Sequence, residues 1–234
     1  KQMNGADALV RTLQLYGVKH IFGLCGDTSL PYYDALARLD HGIDHVLTRD
    51  ERCAAYMADA YARVTGKPGV CEGPSGGGAT YLLPGIVEAN ETSLPVLGIT
   101  SDVSVGARGK FPLTQLDQES LYRPLTKWNT MVDRVDQIPQ AVRAAFRAMT
   151  TGRPGAAHIG LPYDLQQQAI DPLAPDLRRE IKTLAALIAA LKDSVTALRA
   201  EPVDVVRLDK ALAVLQESKE QPVLDAVPEL QNEL

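Results

Sequence analysis

The sequence predicts an α/β protein: a doubly wound, mainly parallel sheet with helices on both faces, followed by a C-terminal α-helical hairpin or short coiled coil. Three observations carry this. Short apolar runs alternate with amphipathic segments of about 10–15 residues, the pattern of βαβ crossovers. All 18 glycines lie at or before Gly160, so the composition changes sharply beyond that point. From Ile181 onward the apolar period becomes a strict heptad.

The expected strands are His20–Leu24, Ile43–Leu47, Gly69–Cys71, Pro95–Ile99 and Ala156–Gly160. Each is a brief run of apolar or β-branched residues bounded by polar residues, Gly or Pro. Between them, Ala6–Tyr16, Leu30–Leu39, Glu51–Val64, Gly78–Asn90 and Ile138–Met149 show helical periodicity. Residues 1–170 thus read as one domain. Residues 171–177 read as a Pro-containing linker, because Pro172 and Pro175 cannot continue a helix or a central strand. Residues 178–234 read as a helical extension. There Ile181, Leu184, Ile188, Leu191, Val195 and Leu198 form a seam, and Val205, Leu208, Leu212 and Leu215 repeat the spacing. The seams are expected to pack on each other or on the α/β domain as a helical hairpin, or on a second chain as a coiled-coil dimerisation arm.

Composition narrows the function. The chain is 45% hydrophobic with a formal charge of −5, which rules out disorder and lacks the basic footprint of a nucleic-acid binder. The tail carries most of that charge: 12 acidic and 8 basic residues after position 170, against 17 and 16 before it. No run of about 18 apolar residues is present, so no membrane span is expected. The polar start Lys1-Gln2-Met3-Asn4 shows no signal peptide, and a cytoplasmic location is expected. Cys25, Cys53 and Cys71 are odd in number and lack a C-x-x-C pair, so they read as reduced thiols rather than a disulfide frame or a zinc site. His20, His41, His45 and His158 show no ligand spacing, and no metal site is expected on this chain.

In a doubly wound sheet, ligands sit beyond the carboxyl ends of the strands, where loops feed helix N-termini. Three such loops are unusual. Gly23-Leu24-Cys25-Gly26-Asp27-Thr28-Ser29 opens a helix, and its polar residues either cap that helix or face a ligand. Thr48-Arg49-Asp50-Glu51-Arg52 puts two acids between two arginines at another helix start. That is an ordinary surface ion network, unless Glu51 is buried at a cleft, where desolvation makes a carboxyl a proton-handling group. The third, Cys71-Glu72-Gly73-Pro74-Ser75-Gly76-Gly77-Gly78-Ala79-Thr80, lets backbone N–H groups approach a ligand. It is not a P-loop, since no Gly-Lys-Ser/Thr follows.

In this order and spacing the three loops resemble the pyrimidine-binding (PYR) domain of thiamine-diphosphate enzymes, in the group of acetolactate synthase, benzoylformate decarboxylase and pyruvate oxidase. The matching stretches are Gly17–Gly23 with Gly26-Asp27, Arg49–Arg52 with Ala58–Val70, Pro74–Thr80, Leu116–Gln118 with Leu121–Trp128, and Arg153–Gly155 with Gly160–Asp164. The resemblance implies that Glu51 contacts N1′ of the cofactor's aminopyrimidine, where a shared proton promotes the imino tautomer that activates thiazolium C2. It implies cofactor contacts for Gly26, Asp27, Pro74, Ser75, Gly76, Gly78 and Thr80, and places Cys25, Thr114 and Gln115 on the substrate side. The substrate implied is a small 2-oxo acid, decarboxylated or ligated.

The family binds diphosphate and Mg²⁺ on another domain through Gly-Asp-Gly followed by Asn, and no Gly-Asp-Gly occurs here. The resemblance therefore implies the pyrimidine end of thiamine diphosphate only, with Mg²⁺ on a partner or missing domain. It also implies a homodimer or higher oligomer. The alternative is a non-catalytic assembly or regulatory module that uses the same fold and the heptad tail.

Overall fold

The computed structural model describes residues 2–170. The linker and helical extension expected over 171–234 lie outside the described residues.

The helix α1 (Gly5–Leu15) begins in a capping box: the Asn4 side chain accepts from the Asp7 N–H, and Asp7 accepts from the Asn4 N–H. The strand β1 (His20–Gly23) follows, then α2 (Leu30–Arg38), β2 (Asp44–Leu47), α3 (Glu51–Thr65) and β3 (Gly69–Gly73). The chain continues through α4 (Gly77–Tyr81), α5 (Leu83–Glu91) and β4 (Val96–Asp102). The last elements are α6 (Gln118–Tyr122), β5 (Trp128–Met131), α7 (Ile138–Thr150), β6 (Ala157–Pro162) and α8 (Tyr163–Gln167). The strands form one six-stranded sheet in the order β2-β1-β3-β4-β6-β5, every pair parallel.

The central strands β3, β4 and β6 are buried at every residue, as a sheet covered on both faces requires, and successive residues enter opposite cores. Val70, Leu97 and Ala157 join a core with Leu9 and Leu13 of α1, Tyr32 of α2 and Val142 and Met149 of α7. Their neighbours Cys71, Val96 and Ala156 join a second core with Ala54 and Ala58 of α3 and Ile86 and Ala89 of α5. The doubly wound class read from the sequence is the one observed.

Two expectations differ in detail. The helix expected over Gly78–Asn90 is two helices, because Pro84 in the first turn of α5 supplies no N–H to continue α4. The strand β5 was not anticipated: it is a four-residue edge strand, half-buried throughout, with no apolar run to mark it.

The path of α3 determines where Glu51, its first residue, comes to lie. Asp50 caps the start of this helix by accepting from the Arg52 N–H, and Gly66 ends it in the left-handed region at φ 67°. Its inward face is Ala54, Ala55, Ala58 and Ala62, all buried. Small residues oppose it: a Cβ on Gly69 would run into the Ala58 backbone, and one on Gly85 would lie 2.6 Å from the Ala55 Cβ. Methyl groups against glycines let α3 lie close to both β3 and α5.

A buried polar core sits beside this at β4 and β6. The imidazole of His158 is fully buried and stacked on Tyr122, with ring centroids 3.6 Å apart and an interplanar angle of 5°. Gln118 Nε2 donates to the Ser101 carbonyl, so its Oε1 is the acceptor for the Thr100 hydroxyl. With its hydrogen used there, Thr100 accepts from His158 Nε2–H at 2.7 Å. Nδ1 of His158 is then a bare buried acceptor without a partner among the described residues. Protonation would place an unsatisfied N–H there, and burial holds the imidazole pKa down to about 3, from an ordinary 6.5. The unfolded chain binds a proton in that interval and the native chain does not, so the stability conferred is complete above 6.5 and lost as pH falls towards 3. Urea unfolding from pH 4 to 7 is expected to show wild-type stability climbing more steeply with pH than that of His158→Gln, by up to a few kcal/mol over the interval. Parallel curves would show that His158 titrates alike in both states.

Candidate functional site

The sheet order places the site. From β1 the chain runs outward to β2, then returns to β3 on the other side, so the loops after β1 and β3 part at a topological switch point. Thr48 ties the end of β2 to β1, its N–H donating to the Gly23 carbonyl at 2.8 Å and its hydroxyl to the same oxygen at 3.2 Å.

Glu51 is the first residue of α3 and is buried, with 7% of its surface exposed. Its carboxylate accepts no hydrogen bond from any described residue. It lies in a glycine cradle: a Cβ on Gly73 would be 3.2 Å from the Glu51 Cγ, and one on Gly78 would be 3.0 Å from its Oε1. Its neighbour Asp50 is different. It pairs with the exposed Arg52 guanidinium at 2.6 Å, which holds its carboxyl down at about 2. The surface ion pair weighed for this loop is real, but it is made by Asp50 and Arg52 and leaves Glu51 unpaired.

The other two loops are bound to each other and to a third. Pro74 packs between Gly26 and Gly78, where a Cβ at either glycine would lie 2.5 Å from a proline carbon. The Ser75 N–H donates to the Thr28 hydroxyl at 3.0 Å, and that hydroxyl donates to the Ser75 Oγ at 3.0 Å. Ser75 Oγ in turn meets Thr114 Oγ1 at 2.7 Å. Three hydroxyls therefore clasp the β1–α2 loop, the β3–α4 loop and the segment between β4 and α6. Backbone conformation is specialised at the same point, with Gly76 at φ 70° and Thr114 at φ 72°. Only glycine at position 76 leaves space, since a Cβ there would approach the Thr114 Cβ to 2.8 Å.

The structure thus gathers Gly26, Pro74, Ser75, Gly76, Gly78 and Thr114 beside Glu51. Asp27 is exposed and starts a short 3₁₀ turn, and Cys25 is exposed on the same loop. Thr80 turns back on its own helix, donating to the Gly77 carbonyl at 2.7 Å. Gln115 organises its own segment by accepting from the Gly109 N–H at 3.2 Å.

Two residues escaped the sequence reading. Thr28, the centre of the clasp, looked like one of three equivalent helix-capping residues. Glu72, 1% exposed at the end of β3, sat inside a quoted loop without being singled out. A carboxylate within an otherwise apolar β run was the signal available. It accepts a hydrogen bond from the Tyr33 phenol, and His45 Nε2 lies 3.8 Å away, an ion-pair distance too long for a hydrogen bond.

A doubly wound parallel sheet with a buried carboxylate and clasped glycine loops at its switch point defines a cofactor-binding α/β module. Residues 3–121 match the family model of the thiamine pyrophosphate enzyme N-terminal TPP binding domain. The chain belongs to this family. It is similar to a probable acetolactate synthase large subunit of Methanocaldococcus jannaschii, 44% identical over 169 residues, which cover 72% of this chain and 28% of the relative. The acetolactate synthase large subunit of Corynebacterium glutamicum is 39% identical over 175 residues, covering 75% and 28%. The Escherichia coli acetolactate synthase isozyme 1 large subunit is 35% identical over 203 residues, covering 82% and 36%. The chain therefore spans about a third or less of the curated relatives it matches. Among the described residues no helix is long and apolar enough to cross a membrane.

The clasp has a measurable consequence. Ser75→Ala removes the hydroxyl that bridges Thr28 and Thr114, at a cost of about 1 kcal/mol per hydrogen bond lost. Limited proteolysis of this variant is expected to cleave within residues 106–116 faster than in wild type. Equal cleavage rates would mean that the hydroxyls do not hold the segment.

Proposed function

We propose that residues 1–170 are the pyrimidine-binding half of a thiamine-diphosphate active site acting on a small 2-oxo acid, in the manner of an acetolactate synthase-like decarboxylase or carboligase. In this reading, residues 171–177 are a linker and 178–234 a helical extension. The observation that carries the proposal is Glu51, a buried carboxylate with no hydrogen-bond donor among the described residues, at the first turn of a helix and at the switch point of the sheet.

The residues present fit the aminopyrimidine end of the cofactor. Glu51 is buried with no donor to its carboxylate among the described residues, so a ring nitrogen would supply the hydrogen-bond partner it lacks. The glycine cradle leaves room for a flat ring to approach, since a Cβ on Gly73 or Gly78 would crowd Glu51. When bound, thiamine diphosphate supplies the nucleophilic carbon and the electron sink for 2-oxo acid chemistry. Glu51 holds the proton at the ring nitrogen. Gly26, Pro74, Ser75, Gly76 and Gly78 shape the pocket, with Asp27 and Thr80 at its margins. Cys25, Thr114 and Gln115 face the substrate.

The diphosphate and Mg²⁺ belong to another domain, from a partner subunit or another part of a longer chain. Exposed apolar side chains on this end of the sheet support such a partner: Leu30, Leu47, Tyr81, Phe111 and Leu113 are all more than half exposed. An oligomer, dimeric or larger, is the expected working form.

The decisive variant is Glu51→Gln, which keeps shape and removes the ionisable proton. In the enzyme assembled with its diphosphate-binding domain, cofactor C2 hydrogen–deuterium exchange and turnover are expected to fall about 10²–10⁴-fold. Exchange that persists at the wild-type rate would remove Glu51 from this role.

A further inference from the structure

Glu72 is another buried carboxylate at the strand ends, and the Glu51 role does not use it. It pairs in register with Gly23 of β1, and a Cβ on Gly23 would collide with its carboxylate, so glycine there makes the space that Glu72 fills. Glu72 and Glu51 flank the end of one strand. The Glu72 side chain lies against α2 and β2, while Glu51 packs its Cγ against Gly73, the next residue along.

Glu72 is buried against a phenol and an imidazole rather than beside a guanidinium or an ammonium. The Tyr33 phenol of α2 donates to it, and His45 of β2 stands at 3.8 Å with its Nε2 buried and unpartnered. Tyr33 also packs edge-on against the His45 ring, with centroids 4.8 Å apart. The fully buried Tyr32 hydroxyl has no partner among the described residues. The Glu72 charge is felt by Tyr32, by Cys25 in the loop above and by Cys71 on the opposite face of β3, while the charge of Glu51 bears on Glu72. No arginine or lysine neutralises the cluster among the described contacts of Glu72.

We propose that Glu72 is a positioning residue of this site: the Tyr33–Glu72–His45 cluster sets the charge that Glu51 faces across the end of β3, and with it the pH range over which the cofactor is activated. This rests on the cofactor reading of Glu51. Burial pushes the Glu72 carboxyl above its ordinary value, His45 and the Tyr33 phenol pull against that, and Glu51 adds to it. Glu51, packed against Gly73, and Glu72, beside Gly73 in the chain, thus bear on one another through charge at the end of one strand.

The test has two arms. In the 234-residue chain without cofactor, carbon-13 NMR of the glutamate carboxyls follows Glu72 directly. Its midpoint is expected above the ordinary glutamate range, lowered by Glu51→Gln and raised by Tyr33→Phe. A midpoint in the ordinary range, or one that Glu51→Gln leaves in place, overturns the proposal while leaving the role of Glu51 intact. In the assembled enzyme, Glu72→Gln preserves the shape of the side chain and is expected to move the pH profile of C2 exchange by about half a unit or more, with the plateau rate changed less than threefold. A profile that stays in place also overturns the proposal. Should Glu72→Gln fail to fold, Tyr33→Phe carries the second arm: it keeps Glu72 protonated to higher pH, so a profile shift in the same direction, and smaller, is expected, and no shift overturns the proposal. Failure of the cofactor reading is distinguished by C2 exchange that survives Glu51→Gln.

Discussion

The structure depends on how closely α3 can lie against the sheet. Ala54, Ala55, Ala58 and Ala62 present only methyl groups, and Gly69 and Gly85 offer no side chain in return. Larger residues at any of these positions would lift the helix away, because interiors filled to crystal-like density do not absorb added volume freely. The consequence is felt at the helix start. With α3 held low, its first residue, Glu51, is carried below the surface at the switch point of the strand ends, where a longer approach would leave it in water beside Asp50 and Arg52.

Around that carboxylate the three loops behave as one unit. Thr28, Ser75 and Thr114 are distant in sequence yet share hydrogen bonds, and Pro74 fills the space that Gly26 and Gly78 leave. The polar core beneath extends this order. Gln118 joins Thr100 to the Ser101 carbonyl, and Gln166 donates to the Thr28 carbonyl at 3.0 Å, so the clasp rests on groups fixed by β4 and by α8 after β6. A site built this way is positioned by the sheet and only finished by the loops, which holds its groups in fixed geometry. Membership of the thiamine pyrophosphate enzyme family agrees with that design.

Much of this was legible in residue patterns, and the gaps have physical causes. Buried parallel strands such as β4 are continuous apolar runs, and α1, α3 and α7 repeat their apolar residues at helical spacing, so these elements were plain. The edge strand β5 was not, because a strand paired on one side only needs no apolar run. Pro84 divides one expected helix into two through a missing donor, a local effect whose outcome depends on whether neighbouring packing restores the helix. His158 was readable as a core residue from its apolar neighbours. Its tautomer was not, since that follows from which partners Thr100 and Gln118 have already used.

The sequence by itself determined the fold class, the positions of the glycine loops and the identity of Glu51 as the acid at a helix start, because periodicity and turn chemistry are local properties of the chain. Only the tertiary structure decided that Asp50 is solvated and ion-paired while Glu51 beside it is buried, that Thr28 rather than Asp27 joins the clasp, and that Glu72 shares its strand end with Tyr33 and His45. The joins that set them link residues 39 to 47 positions apart, Thr28 to Ser75, Ser75 to Thr114 and Tyr33 to Glu72. Burial and charge coupling are properties of such distances, and the order of residues along one loop does not contain them.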